Sequence, residues 1–576
     1  MNITQRLLLN TSIATVLNKP NLIIPLLLPW IAERRWSSLK GVLNLRVKVL
    51  DFVVLERGVD YSIIVTLTRI SGLRGRNRIS EKIFLPLFLS VSQDQPGKGF
   101  RIECLNGNVW VVEAEHTKEY NRRLLEGFNK GERIKTSAQG IIKLEYREDI
   151  SLRPDLFRIE TLGKGDTTNI VVKIKDTTSV IIKTYKIVSN VNPEPEFLEV
   201  LANAEFKYAP RLLGRMTYQK KKKTTITSIL ESYEENVGDG RKPFLDNLVS
   251  DLSELRNKSV DSKGLSELVS QKPGSSKVHE LSVFLGTIIA EFHNVLASSH
   301  RRSFQSKRVL KEDIERWSRR ATLDFEECMD ELSTILNSND LPFSTRRVLS
   351  LLIKEIEVRR KSIEEQIGLF RIMLDTIKTR THQDLHLAQL LFKKTPDSCG
   401  FQIIDFEGDP QRTGKKRLEL EPPLRDLGVL VRSFGYIRYM ALAQVLKEYS
   451  YSDAIALASY FSVEVEDAID FSNFKSINKS SLNNLVAYSR VWEVDVSNAV
   501  LDGYFRRSKE LNSSSHFGEE GLDESSLRLI VKLWAIEKAL LEIKYELHNR
   551  PQNILIPVEG LLSYVPVTRL SLESEG

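Results

Sequence analysis

Near Gly238 the apolar residues change their spacing, and that change divides the chain into two kinds of structure. Before it they come in short β-branched and aromatic runs: "LRVKVLDFVVLE", "DYSIIVTLTRI", "EKIFLPLFLSVS" and "NIVVKIKDTTSVIIKTYKI". Turns rich in Gly, Asn and Asp separate these runs, the pattern of strands and hairpins. After it, "ELSVFLGTIIAEFHNVLA", "RRVLSLLIKEIEVRRKSIEEQIGLFRIMLDTI" and "LRLIVKLWAIEKALLEIKYELHNR" repeat apolar residues every three or four positions, as long helices do. The Gly-rich "ENVGDGRKP" marks the break, and the Ser/Lys-rich stretch from Asn257 to Lys277 is expected to be a surface loop. With 576 residues the chain exceeds a single core. The expected organisation is α+β: a β-rich N-terminal domain at 1–150, a smaller β-rich domain at 151–240, and a helical domain at 241–576.

Charge and cysteine usage narrow the function classes. The 83 basic and 76 acidic side chains are interspersed and leave a net charge of only +7, so no concentrated face for nucleic acid is expected. The basic run Lys220–Lys223 reads as an exposed hairpin tip. Three scattered cysteines, Cys104, Cys328 and Cys399, fit neither a disulfide framework nor a metal spacing, which points to a reducing compartment. The apolar "NLIIPLLLPWIA" is broken by Pro25 and Pro29 and too short to span a bilayer. A cytoplasmic protein with no membrane and no nucleic-acid partner is expected.

The chemistry-bearing residues gather in "THQDLHLAQLL", Thr381–Leu391, and "FQIIDFEGDP", Phe401–Pro410. Phosphoryl transfer from ATP requires a carboxylate to position the accepting hydroxyl and oxygen ligands for Mg²⁺. Asp384, Gln389 five residues on, and Asp405 at the end of a short apolar strand match that layout. A zinc site through His382 and His386 lacks a third soft ligand, and a hydrolytic carboxylate pair is a further alternative.

A kinase needs more from the β-rich region: a lysine for the phosphates and a glutamate to pair with it. "SVIIKTYK" supplies Lys183, and "NPEPEFLEVL" supplies Glu196, with Glu199 as second choice. The turn "GKGDTTN" offers Gly163, Gly165, Thr167 and Thr168 to cover phosphates, although the same letters also make a plain hairpin turn. Glu231 and Ser232 fall where the adenine-contacting hinge belongs.

The signature "THQDLHLAQLL…IIDFEGDP…PPLRDLGVLVRSFGY" resembles that of the maltokinases. So do "NPEPEFLEVLANAEFKYAPRLLG", "ENVGDG", "LGTIIAEFH", "LEIKYELHNRP" and the N-terminal "WIAERRWSSLKG". The resemblance implies a bilobal, protein-kinase-like fold with a β-rich N-lobe, an extra N-terminal cap domain and a large helical C-lobe. It implies ATP- and Mg²⁺-dependent phosphorylation of the anomeric hydroxyl of maltose, giving maltose 1-phosphate. Asp384 would be the catalytic base, Gln389 and Asp405 the Mg²⁺ ligands, and Lys183 the phosphate ligand. His382, Gln383 and Glu407, with Glu542, Tyr545, Glu546 and Arg550 of "EIKYELHNR", would meet the sugar, the last segment reading equally as an ion-paired helix. The expected partners are a small sugar and ATP, on a monomer or in association with an enzyme of α-glucan or trehalose metabolism. Gln383 and Ala388 stand where the family has Gly, Arg241 where it has Trp, and Gly435 where it has Asp. These departures leave the acceptor open to another sugar or an amino sugar such as glucosamine, and leave a non-catalytic sugar-binding regulator as the alternative outside enzymes.

Overall fold

The computed structural model describes residues 6–8, 10–19, 22–34, 36–75, 77–92, 99–147, 157–163, 169–176, 178–189, 191–258, 276–337, 341, 343–394, 399–412, 414–446, 479–511 and 522–565. The chain separates into two units: Met1–Ala202 with Pro210–Glu234, and Asn203–Ala209 with Glu235–Gly576.

The first unit contains two sheets. One is built from β1 (Arg6–Leu8), β2 (Leu43–Arg57), β3 (Tyr61–Arg74), β4 (Asn77–Ser90), β5 (Phe100–Cys104) and β6 (Gly107–Glu113), in the order β1-β5-β6-β4-β3-β2. The other contains β7 (Arg133–Lys135), β8 (Ile141–Tyr146), β9 (Arg158–Leu162), β10 (Asn169–Lys175), β11 (Ser179–Tyr185), β12 (Leu212–Lys220) and β13 (Lys223–Ser232), in the order β7-β8-β12-β13-β11-β10-β9. This second sheet thus starts at Arg133, ahead of residue 151, where the sequence reading starts the smaller β-rich domain. Texture cannot reveal that, because β7 and β8 look like any other strands until β8 pairs with β12, Gly214 opposite Tyr146. Both sheets contribute to one apolar core that includes Ile64, Phe84, Phe88, Leu144, Ile182 and Met216. Lys220 pairs with Lys223 across an exposed two-residue turn, so the basic run is the hairpin tip expected. Short helices α1 (Ile13–Asn18) and α2 (Leu28–Ala32), the longer α3 (Lys118–Asn129), and α4 (Glu194–Asn203) complete the unit.

The second unit is helical: α5 (Arg241–Lys258), α6 (Ser276–Ala297), α7 (Lys311–Leu336), α8 (Phe343–Val358), α9 (Arg360–Gly368), α10 (Leu424–Val445), α11 (Lys479–Glu510), α12 (Glu524–Asn549) and α13 (Leu555–Tyr564). Two small ladders interrupt it, β14 (Lys307–Arg308) with β15 (Ile377–Lys378), and β16 (Leu390–Lys394) with β17 (Cys399–Ile403). α12 starts where Asp523 caps it, its carboxylate accepting from Ser526 N at 2.9 Å. α10 is buried on nearly every face and packs on α5, α11 and α12. Its three buried arginines each meet a carboxylate: Arg425 with Glu537, Arg432 with Glu542, and Arg438 with Glu493 and Glu559. α6 and α11 approach backbone to backbone at two glycines. A Cβ on Gly286 would stand 2.0 Å from the Val500 carbonyl oxygen, and one on Gly503 2.0 Å from that of Val283. The segment Lys277–Ala297 of α6 is long and apolar enough to cross a membrane, and 56% of it is buried inside the protein.

Candidate active site

Asp384 lies in a loop that one carboxylate holds by two successive amides. Asp426, fully buried in the first turn of α10, accepts from His382 N at 2.7 Å and from Gln383 N at 2.9 Å. His293 Nε2 reaches the same carboxylate at 3.1 Å, and Tyr504 braces the other ring nitrogen at 3.0 Å. Arg425 fixes the far side of the loop, donating from Nη1 to the Gln383 carbonyl at 2.8 Å. Under these clamps Gln383 takes φ +70°, a left-handed conformation costly for a residue with a side chain. Gly is the residue that adopts this conformation freely, and here the surrounding bonds enforce it without one. The Gln383 amide does not reach towards Asp384. It is buried, donates to the Glu419 carbonyl at 3.3 Å and accepts from Asp409 N at 3.4 Å, closing the loop that follows Gly408.

Beneath this loop lies a network of buried charges. Arg412 and Arg320 meet Glu421 Oε1 at 2.8 and 3.3 Å, Arg425 lies 3.4 Å from its other oxygen, and Glu537 joins Arg320 to Arg425. Burial raises the Glu421 carboxyl, but the three guanidinium groups overcome it and hold the group far below the usual carboxylate range.

Asp384 itself faces Lys538, next to Glu537 on α12, with Nζ 3.1 Å from Oδ1. His386 Nε2 lies 3.6 Å from Oδ2. Burial pushes the Asp384 carboxyl up, yet Lys538 and the two histidines outweigh it and the group stays below its ordinary value. Burial lowers the Lys538 ammonium, and Asp384, Glu542 and Asp409 raise it by more. Asp384 is therefore a carboxylate, paired with an ammonium, at neutral pH. His386 is pushed below its usual value, mainly by burial, and is neutral there. His382 Nε2 bonds to the Ile404 carbonyl at 2.9 Å, so its ring braces the Asp384 loop against the segment after β17.

That segment delivers Asp405, which has φ +66°. Gln389, ending a 3₁₀ turn, places its Nε2 3.0 Å from Asp405 Oδ2, while its backbone carbonyl accepts from Ile404 N. Amide O and N exchange on rotation about the last side-chain bond, and the carbonyl orientation turns this pair into two hard oxygen donors. That donor set fits Mg²⁺. Glu407 follows in the same loop, half-buried.

In the first unit, Lys183 on β11 pairs with Glu194, Nζ to Oε2 at 2.8 Å, and Tyr185 OH donates to the same oxygen at 2.5 Å. This corrects the expectation of Glu196. Asn192 Oδ1 accepts from Glu194 N at 3.0 Å and starts α4 there, which puts Glu194, Phe197, Leu198 and Leu201 on the buried face. Glu196 is half-buried on the next face, and Glu199 pairs with Arg147 and Arg215. Glu231, next to last in β13, lies opposite Ile181 and Leu212. Ser232 Oγ accepts from Arg211 N at 2.9 Å and donates to Glu234 at 3.1 Å. Gly163 has φ +77° directly after β9. Gly165, Thr167 and Thr168 lie outside the described residues.

The C-terminal segment takes the ion-paired form. Glu542 accepts from Arg432 at 2.9 and 3.0 Å. Glu546 accepts from Tyr436 and Arg550, and Arg550 lies 5.2 Å from the Tyr545 ring centroid. Glu542, Glu546 and Arg550 thus tie α12 to α10 and to themselves, while Tyr545 reaches the surface.

No family model matches the sequence. Among solved structures, the chain is similar to a glucosamine kinase in complex with glucosamine, ADP and inorganic phosphate, with a TM-score of 0.53 and 15% identity over 93% of this chain and 99% of that one. Two crystal forms of a glucosamine kinase match at TM-scores of 0.54 and 0.53 with 14% identity, over 93% and 97% of this chain and 97% and 99% of theirs. The chain has the α+β, kinase-like fold of these structures, with its sheets in the N-terminal part and its helices in the C-terminal part.

Proposed function

We propose that the protein is an ATP- and Mg²⁺-dependent kinase of a sugar hydroxyl. The observation that carries this reading is Asp384: a buried carboxylate kept ionised by Lys538, on a strained loop, with the Gln389–Asp405 oxygen pair on the segments that follow. A carboxylate so fixed accepts the hydrogen bond of an incoming hydroxyl and aligns its oxygen for in-line attack. Lys538 lowers its basicity, so its contribution is positioning more than proton abstraction, as a loose phosphoryl-transfer transition state requires. Gln389 and Asp405 would hold the metal, which when bound neutralises phosphate charge. Lys183, oriented by Glu194, would hold the phosphates.

The acceptor of first choice is maltose, on the resemblance of the motif residues, and the product is then maltose 1-phosphate. The second reading is an amino sugar, favoured by the glucosamine kinases that share the fold. Both readings place the reaction in the cytoplasm, where ATP is available. Release of ADP with maltose, glucosamine, glucose, trehalose and an aminoglycoside, each at saturating ATP and Mg²⁺, separates them. Turnover with one sugar that falls by about 10² or more in Asp384→Asn supports the kinase reading. Sugar binding without ADP release for every acceptor replaces it with the regulator.

A further inference from the structure

The strand that carries Lys183 does not end with its own sheet. Beyond Tyr185 the chain runs on to pair with β4 of the six-stranded sheet. Phe84 N donates to the Lys186 carbonyl at 2.8 Å, Ile187 bridges to Ile83, and Val188 N donates to the Lys82 carbonyl at 2.8 Å. At the crossing, Lys186 has no exposed surface. Its ammonium lies 2.6 Å from Glu115 Oε1 and 3.5 Å from Glu113 Oε1, over the Trp36 ring at 5.1 Å. Trp36 Nε1 donates to that same Glu113 oxygen at 2.6 Å. Arg34 and His116 each stand 3.9 Å from the other Glu113 oxygen.

Burying such a cluster costs several kcal/mol per ion, and apolar side chains of the same volume fill the space at less cost. What the charges add is position. Lys186 lies about 10 Å along the strand from Lys183, at roughly 3.3 Å per residue. Tyr185, between them, shares the Glu194 oxygen with Lys183. A shift at Lys186 is therefore delivered to the Lys183–Glu194 pair.

We propose that Glu113 at the end of β6, Glu115 in the turn that follows it, and Trp36 ahead of β2 are positioning residues that, through Lys186, set the Lys183 ammonium against nucleotide phosphates. The inference rests on Lys183 being the phosphate ligand in the reading above. The test uses the full chain and measures Kd for MgADP and for adenosine by calorimetry, together with Tm, in Lys186→Met, Glu115→Gln and Trp36→Phe. The double variant Lys186→Met/Glu115→Met removes both charges of the closer pair and leaves Glu113 its Trp36 hydrogen bond and its Arg34 and His116 neighbours, which favours a folded protein to measure. The expected result is MgADP binding weakened roughly tenfold, with adenosine, which has no phosphate, held within about twofold. An unchanged MgADP Kd in the folded variants overturns the inference, and so does a parallel loss of adenosine, which marks general loosening. Lys183→Met is the control. If it leaves MgADP affinity intact, the reading of Lys183 falls and takes the inference with it. If it alone weakens MgADP, only the inference falls.

Discussion

Replacing Lys538 by Met removes the cation from Asp384 while keeping the length of the side chain. At 3.1 Å and an effective dielectric constant of about 20, the pair attracts by about 5 kcal/mol. Both groups are largely buried, with side-chain exposures of 18% and 13%, so screening removes little of that. Part of the attraction offsets the desolvation of Lys538, which the variant no longer bears. Stranding the partner of a buried pair costs about 3–5 kcal/mol net, which corresponds to a fall on the order of 5 °C in the unfolding of the helical unit. The dependence on pH is sharper evidence. In the native protein Asp384 is depressed, so its contribution is present above the unfolded carboxylate pKa and lost as pH falls through the folded one. In Lys538→Met burial acts without its main opponent, the carboxyl moves above its unfolded value, and protonation then relieves the stranded charge. The deficit of the variant must therefore be larger at pH 7.5 than at pH 5. Thermal unfolding of the native chain, Lys538→Met, Asp384→Asn and the double variant at both pH values gives the coupling directly. Additive effects, or a deficit that does not change with pH, refute the argument.

Gly286→Ala drives a methyl into the Val500 carbonyl and is expected to destabilise by about 3 kcal/mol or more, read by Tm, with Gly503→Ala equivalent. Gln383→Ala keeps the left-handed strain and loses both amide bonds, costing about 2 kcal/mol, whereas Gln383→Gly is less damaging by about 1 kcal/mol. Denaturant unfolding that ranks Gly below Ala contradicts that account. Asp405→Asn is expected to abolish the dependence of ADP binding on Mg²⁺ in calorimetry while leaving metal-free ADP within about twofold.

How much of this was legible in the letters depends on distance along the chain. The switch from strand to helix near Gly238 is a local property of spacing, and the units do part nearby, at Glu234. That Asn203–Ala209 belongs to the helical unit is not local. It depends on such bonds as Ile403 N to the Tyr208 carbonyl, for which spacing has no sign. Asp384, Gln389 and Asp405 stand close in sequence and were read together. Lys183 is expected from its strand, and its ion pair is with Glu194, two residues before the glutamate the letters suggest, because Glu194, Glu196 and Glu199 look alike until the Asn192 side chain holds Glu194 N and the helix phase is set. Asking which glutamate shares a face with Phe197 and Leu198 would have selected Glu194. Lys538 was missed because it contacts Asp384 from 154 residues away. Its only mark is a charge inside the apolar "LWAIEKALLEI". Asp426 sits in "PPLRDLG" with no visible role, since nothing in the letters tells that one carboxylate will hold two amides of a distant loop.

The buried arginines of α10 act as the wards of a lock. If the helix slid by one residue, Arg425, Arg432 and Arg438 would leave the carboxylates on α11, α12 and α13 and face hydrocarbon, with a penalty at all three sites at once. Intermediate settings are worse than either end, so α10 has one axial position and one rotation. Asp426 rides on that helix, and the Asp384 loop hangs from Asp426. The aim of the candidate catalytic carboxylate is thus cut into charge pairs elsewhere in the helical unit, and substitutions in the loop itself, Gln383 among them, can accumulate without resetting it.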